Sequence, residues 1–237
     1  MRQQRSVIYF LILLPCICFS QVAKDDFMRI NNTYQSSEEV SFKASYQAFS
    51  NHTVQTPLST ESGEVKKKGD ASYSRIGSIE TIVNEHYRVI VDHEDKNISV
   101  LGIKKQEGKQ EKDTYPVDLE KLLALCTKVE FSKTGTEQGC YTIEIPEMEY
   151  KQIKLFYNTT SFFIEKIILY YSEKQNLVDG EGPQDTPRLE ISYSDYTTHP
   201  DEKQLVFTYD PYLEKQNGKL VAKPAYKSYT VHEQLFN

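Results

Sequence analysis

The residue types that do chemistry are present in this chain, but they are dispersed. Histidines stand at His52, His86, His93, His199 and His232. None shares with a second histidine or a cysteine the spacing that holds a metal ion. The densest group is His86 and His93 with Asp92 and Glu94, at the two ends of one apolar stretch and its turn. Asp92 to Asn97 reads more simply as a solvated hairpin tip, where Asp and Asn side chains turn the backbone. There is no Gly-x-Ser-x-Gly elbow, phosphate loop or dinucleotide fingerprint. Carboxylates are plentiful but scattered, so no glycosidase-type pair stands out. The expectation is a protein that is not an enzyme and uses neither metal nor cofactor.

The elements that would position any site are strands. Val40, Phe42, Ala44, Tyr46 and Ala48 fall on every second position, as do Tyr87, Val89 and Val91. A period of two puts each set on one face of a sheet. Turn signals fall at Lys68-Gly69-Asp70, at Gly77-Ser78, at Asn84-Glu85 and across Asp92 to Asn97. Residues 40–101 therefore read as an antiparallel meander.

Asp26 to Gln35 is a candidate N-terminal helix. Later in the chain, Pro116 leads into a helix capped by Asp118, with Leu119, Leu122, Leu123 and Cys126 on one apolar face that must be covered. A hairpin follows, with Val129 and Phe131 on one arm, Thr134 to Gly139 as the turn, and Tyr141, Ile143 and Ile145 on the other. Ile153 to Tyr157 and Phe162 to Tyr171 read as strands, the second apolar on both faces and so central. Leu189, Ile191 and Tyr193 alternate, as do Leu205, Phe207 and Tyr209. Asp210 to Pro224 is a turn-rich insertion, and Tyr226 to Val231 a last strand. The fold class expected is mainly β with a few helices. It is one strongly curved antiparallel sheet of roughly nine to eleven strands wrapped over helices, in a single domain over residues 21–237.

Compartment and partners follow from the N-terminus and the charge. Arg2 and Arg5 precede a short apolar run, and Cys18-Phe19-Ser20 offers a cleavage site, so residues 1–20 read as a signal peptide. The run is shorter than the ~20 apolar residues a membrane span needs. Export is expected, to the periplasm of a Gram-negative bacterium. Cleavage removes two Arg and no acid, moving the formal charge from −6 to −8. That balance argues against nucleic acid or an anionic membrane face as the main partner. Cys126 and Cys140 remain after cleavage, and export allows them either to pair or to stay buried thiols. Tyrosine is abundant, with 17 residues, and tryptophan is absent. Most of these rings suit half-buried sheet surfaces, and the same set would also line an apolar groove.

Several segments resemble the periplasmic lipoprotein carriers of the LolA/LolB type. They are Phe42-Lys43-Ala44-Ser45-Tyr46-Gln47, Gly63 through Gly69, Ser72-Tyr73-Ser74-Arg75 and Ile82-Val83-Asn84-Glu85-His86-Tyr87. The likeness covers residues 40–101, with Lys68-Gly69 where the family has Arg-Pro and Asn84-Glu85 where it has an Asp-Gly turn. It implies a half-closed barrel lidded by helices, whose apolar face holds acyl chains. On that basis an apolar or acylated ligand, such as a lipoprotein, is expected on Phe42, Tyr46, Tyr73, Ile82, Tyr87, Val89 and Val91. The resemblance places Lys68, a cation without the planar fork of arginine, at the rim. The alternative is a non-catalytic envelope scaffold on the same fold, its face filled by its own residues Leu119, Leu122 and Leu123.

Overall fold

A computed structural model describes residues 14–103, 119–146, 148–175, 185–198 and 207–234, with the side chains of 14–22 and 119–121 outside that description. The expected cap at Pro116 and Asp118, the Leu119 side chain and Leu205 lie outside it as well. Fourteen strands and two α-helices are described. In chain order they begin with helix α1 (Leu14–Ser36), then β1 (Glu39–Phe49), β2 (Ser59–Lys68), β3 (Ala71–Ile76), β4 (Ile79–Val83), β5 (Tyr87–Asp92) and β6 (Asn97–Gly102). Next come helix α2 (Leu119–Leu125), β7 (Lys128–Lys133), β8 (Gln138–Glu144), β9 (Tyr150–Asn158), β10 (Ile164–Tyr171) and β11 (Arg188–Thr197). A ribbon of β12 (Leu213–Gln216) and β13 (Lys219–Ala222), a 3-10 turn (Pro224–Tyr226) and β14 (Thr230–Gln234) complete it.

Twelve strands form one sheet in the order β14-β6-β5-β4-β3-β2-β1-β11-β10-β9-β8-β7, which ends in two edges and does not close into a barrel. Strands β2 to β6 and β7 to β11 pair antiparallel with their neighbours, and β14 runs parallel to β6. Contacts group the chain into two compact units. The first contains residues 1–36, 47–60 and 114–192, and the second residues 37–46, 61–113 and 193–237.

In the second unit the meander forms with its turns where the sequence marks them. Gly69 and Gly77 sit in the left-handed region at φ +56°, which glycine enters without strain. Successive pairs such as Lys66 with Tyr73, Tyr73 with Ile82 and Ile82 with Val89 keep the register. Past the meander the expectation needs correction. Phe207 and Tyr209 alternate in sequence but lie in irregular chain. The expected turn-rich insertion contains the β12–β13 hairpin, closed at Asn217-Gly218 with both residues at positive φ. Asn-Gly is a favoured pair for a two-residue hairpin turn. Tyr212, Leu213 and Leu220 then pack with Ile82, Val89, Val91, Ile98 and Val100 into one buried cluster.

In the first unit β10 lies between β9 and β11, the central place its two apolar faces require. Ile164, Ile167, Ile168 and Tyr171 are buried. Arg188, at the start of β11, is also buried. It donates from Nε to Glu190 at 2.8 Å and from one terminal nitrogen to the carbonyls of Asn51 (2.9 Å) and Val54 (2.7 Å). Its guanidinium lies 3.8 Å from the centre of the Phe49 ring. The N-terminal helix is longer than expected, running Leu14–Ser36 instead of Asp26–Gln35. Asn31, Asn32 and Thr33 are poor helix formers, yet tertiary contacts made by the same helix outweigh so small a propensity.

Candidate functional site

The site is built on α1. Ala23, Phe27, Ile30 and Tyr34 are buried at spacings of four, three and four residues, which is one helical face. Phe27 meets Tyr141 of β8 edge-on at 4.8 Å, and Tyr34 meets Phe163 at 5.6 Å. The Tyr34 hydroxyl accepts the backbone N–H of Ile164 at 3.1 Å. One step round the helix, Lys24 and Met28 form a second, exposed stripe.

That stripe borders a groove of about 1140 Å³ within the first unit. Its lining comes from α1 (Ala23, Lys24, Phe27, Met28), from the C-terminal end of α2 (Leu123, Ala124, Cys126) and from β7, including Val129, Glu130 and Phe131. Met28 at 47% and Phe131 at 42% are large apolar side chains left exposed. The groove is larger than the ~300–1,000 Å³ of drug-sized pockets. β7 is an edge strand, so Phe131 has a neighbouring strand on one side only. Gly139 of β8 makes room for the floor. A Cβ there would meet Tyr157 at 2.7 Å and Phe131 at 2.9 Å, so only glycine lets the two rings close over the strand.

Beneath the groove Asp26 ties helix to sheet. Its Oδ2 accepts the hydroxyls of Tyr141 at 2.7 Å and Tyr157 at 2.5 Å. The two rings stack 5.7 Å apart and are about 1% exposed. Burial, then the hydrogen bond to Asp26, pushes both phenols well above their ordinary range. Both tyrosines therefore stay protonated and donate. The arrangement makes a firm floor without reactive chemistry.

The residues expected to bind ligand lie elsewhere, in the second unit. Ile82, Val89 and Val91 are at most 1% exposed, packed by the chain's own Tyr212, Leu213 and Leu220. Tyr73 and Tyr87 are partly buried against the same cluster, with Tyr87 5.0 Å from the Tyr209 ring. Phe42 is buried against Tyr193 and Tyr196, Tyr46 is half-buried, and Lys68 pairs with Glu39. None of the eight lines the groove described above. Helix α2 runs Leu119–Leu125 beside α1, with Leu122 buried and Leu123 facing the groove. Cys126 and Cys140 are free thiols. The Cys126 Sγ donates to the Leu123 carbonyl at 3.2 Å, whereas Cys140 is buried on β8 opposite Ser132. Burial raises the pKa of both thiols.

The group around His93 has a different composition from the one sequence spacing suggests. Asp92 Oδ1 accepts the backbone N–H groups of Glu94 and Asp95 and so builds the hairpin tip. His93 instead reaches Glu80, with Nε2 2.8 Å from Oε1, and its Nδ1 lies 3.0 Å from the Tyr229 hydroxyl. Glu80 also accepts the Tyr212 hydroxyl, and Arg75 stands 3.7 Å away. Glu80 shares strand parity with Ile82, so a carboxylate at a core position was the legible signal. Burial alone would raise its pKa, but the hydrogen bonds from Tyr212 and His93, with the charges of His93 and Arg75, hold it below the ordinary value of 4.5. A depressed carboxylate stabilises the fold fully above its unfolded pKa, and that contribution is lost as pH falls through the folded value. Acidification below about pH 4.5 is therefore expected to lower the denaturation midpoint of the wild type more steeply than that of Glu80→Gln. Parallel pH profiles for the two proteins would contradict this.

No family model matches the sequence, and no curated protein matches it. Solved structures do. A LolA superfamily protein from Nitrosomonas europaea is 10% identical, with 80% of this chain and 98% of that chain covered at a TM-score of 0.36. The lipoprotein LppX of Mycobacterium tuberculosis is 10% identical over 74% of this chain and 95% of its own, at a TM-score of 0.42. MucB of Pseudomonas aeruginosa, solved with MucA, is 12% identical over 77% of this chain and 59% of that one, at a TM-score of 0.44.

Proposed function

We propose that this is an exported, non-catalytic binding or carrier protein of the bacterial periplasm that shelters an apolar or acylated ligand. The observation that carries the reading is the groove of about 1140 Å³ bordered by α1, α2 and β7, which leaves Met28 and Phe131 exposed. Large apolar side chains gathered around one concavity are the usual lining of a ligand site. Each methylene buried there contributes about 0.8 kcal/mol, so a chain of a dozen gains about 10 kcal/mol to set against an association cost of about 4–15 kcal/mol. The likeness of residues 40–101 to the lipoprotein carriers implies the same class of ligand, and the groove supports a seat for it in the first unit. Every α1 residue that lines the groove lies beyond the expected cleavage position. The second unit, where Ile82, Val89 and Val91 are packed by the β12–β13 hairpin, suits the scaffold reading.

Cys126 supplies a built-in reporter. It lines the groove, whereas Cys140 is 2% exposed. Maleimide labelling at Cys126, read by peptide mass, is expected to slow at least about tenfold when palmitate is added to lipid-stripped protein, as occupancy excludes the reagent. Lipid co-purifying with the untreated protein would be seen by mass spectrometry. Absence of both protection and co-purified lipid would overturn the reading.

A further inference from the structure

The two lysines that line the groove differ in their surroundings. Lys128 is held by Glu130 at 2.8 Å and lies 3.7 Å from Glu144, so it is neutralised locally. Lys24 is exposed and makes no ion pair among the described residues. It stands one helical turn before Met28, on the stripe that faces the groove. A lysine so placed lays its methylenes along apolar surface and keeps its ammonium at the water boundary. The lining is thus apolar in the middle, with Lys24 its one lysine without an ion pair among the described residues.

We infer that the groove takes a long-chain fatty acid anion, its carboxylate paired with Lys24 at the rim and its chain running over Met28, Phe27, Leu123 and Phe131. The inference rests on the groove being the binding site. One ammonium offers a single compact charge and matches a monoanion. A neutral alcohol of equal length keeps the apolar contacts and loses the pair, and an alkylamine meets repulsion instead.

The test is displacement of the uncharged probe N-phenyl-1-naphthylamine from the lipid-stripped protein at low salt. Palmitate, hexadecanol and hexadecylamine are the competitors. Palmitate is expected to bind about 2- to 5-fold more tightly than hexadecanol, the span of an exposed ion pair, with the difference shrinking as salt screens it. Lys24→Gln is expected to abolish that preference, and Lys24→Glu to turn it toward hexadecylamine. Equal binding of palmitate and hexadecanol by the wild type, or a preference that survives Lys24→Gln, would overturn the headgroup assignment and leave the groove standing. Failure of the probe and all three competitors to bind would remove the groove reading itself, and the assignment with it.

Discussion

Replacing Arg188 by alanine is expected to destabilise the protein by about 3–5 kcal/mol, the range seen when one partner of a buried charged network is removed. The Arg188 side chain is 6% exposed. Its loss strips a donor from Glu190 and leaves the carbonyls of Asn51 and Val54 without their partner. It also uncovers the Phe49 ring. Glu190 keeps Lys166 at 2.7 Å, so the carboxylate is not stranded, and most of the cost falls on the backbone of residues 50–58. Arg188→Lys keeps the charge but not the fork that serves the Glu190 carboxylate and two carbonyls at once, and it is expected to recover less than half of the loss. Chemical denaturation gives the magnitude, and limited proteolysis locates it, with new cleavage expected within residues 50–58. A loss under about 1 kcal/mol would place Arg188 among surface ion pairs and contradict the account.

Asp26→Ala is the second large effect, expected at about 2–3 kcal/mol. Two buried tyrosyl hydroxyls lose their acceptor, and an unsatisfied buried donor costs about 1–3 kcal/mol. The two phenols are close enough to hydrogen-bond to each other, so one of them finds a substitute. The melting temperature should fall by roughly 4–12 °C at about 2–4 °C per kcal/mol for a chain of this size. Asp26→Asn retains a carbonyl acceptor and loses only the charge, so it should cost about 1 kcal/mol. Equal losses for Ala and Asn would mean that charge, not satisfaction of the tyrosines, holds α1 to β8.

Candidate-site positions were only partly legible in sequence. Phe27 and Phe131 are ordinary apolar residues at ordinary positions, and nothing in their spacing brings an N-terminal helix to an edge strand a hundred residues away. Glu80 was readable as a carboxylate at core parity, but its partner Tyr212 lies 132 residues further on, and Tyr229, which meets His93, lies 136 residues beyond that histidine. The Asn217-Gly218 pair also carried a hairpin signal, with Leu213 and Leu220 as its apolar arms.

What sequence alone determined was local. Turn residues and strict alternation over residues 40–101 specify strand after strand, because a side-chain period of two and a glycine at positive φ act within a few residues. Tertiary structure decided which apolar face is filled and which stays open. Tyr73, Ile82 and Val89 have the same alternating signature whether a ligand or the chain's own hairpin covers them. Their burial beside Tyr212, Leu213 and Leu220, and the exposure of Met28 and Phe131, depend on where distant segments dock. Non-directional hydrophobic packing leaves no periodic trace of its partner in the sequence.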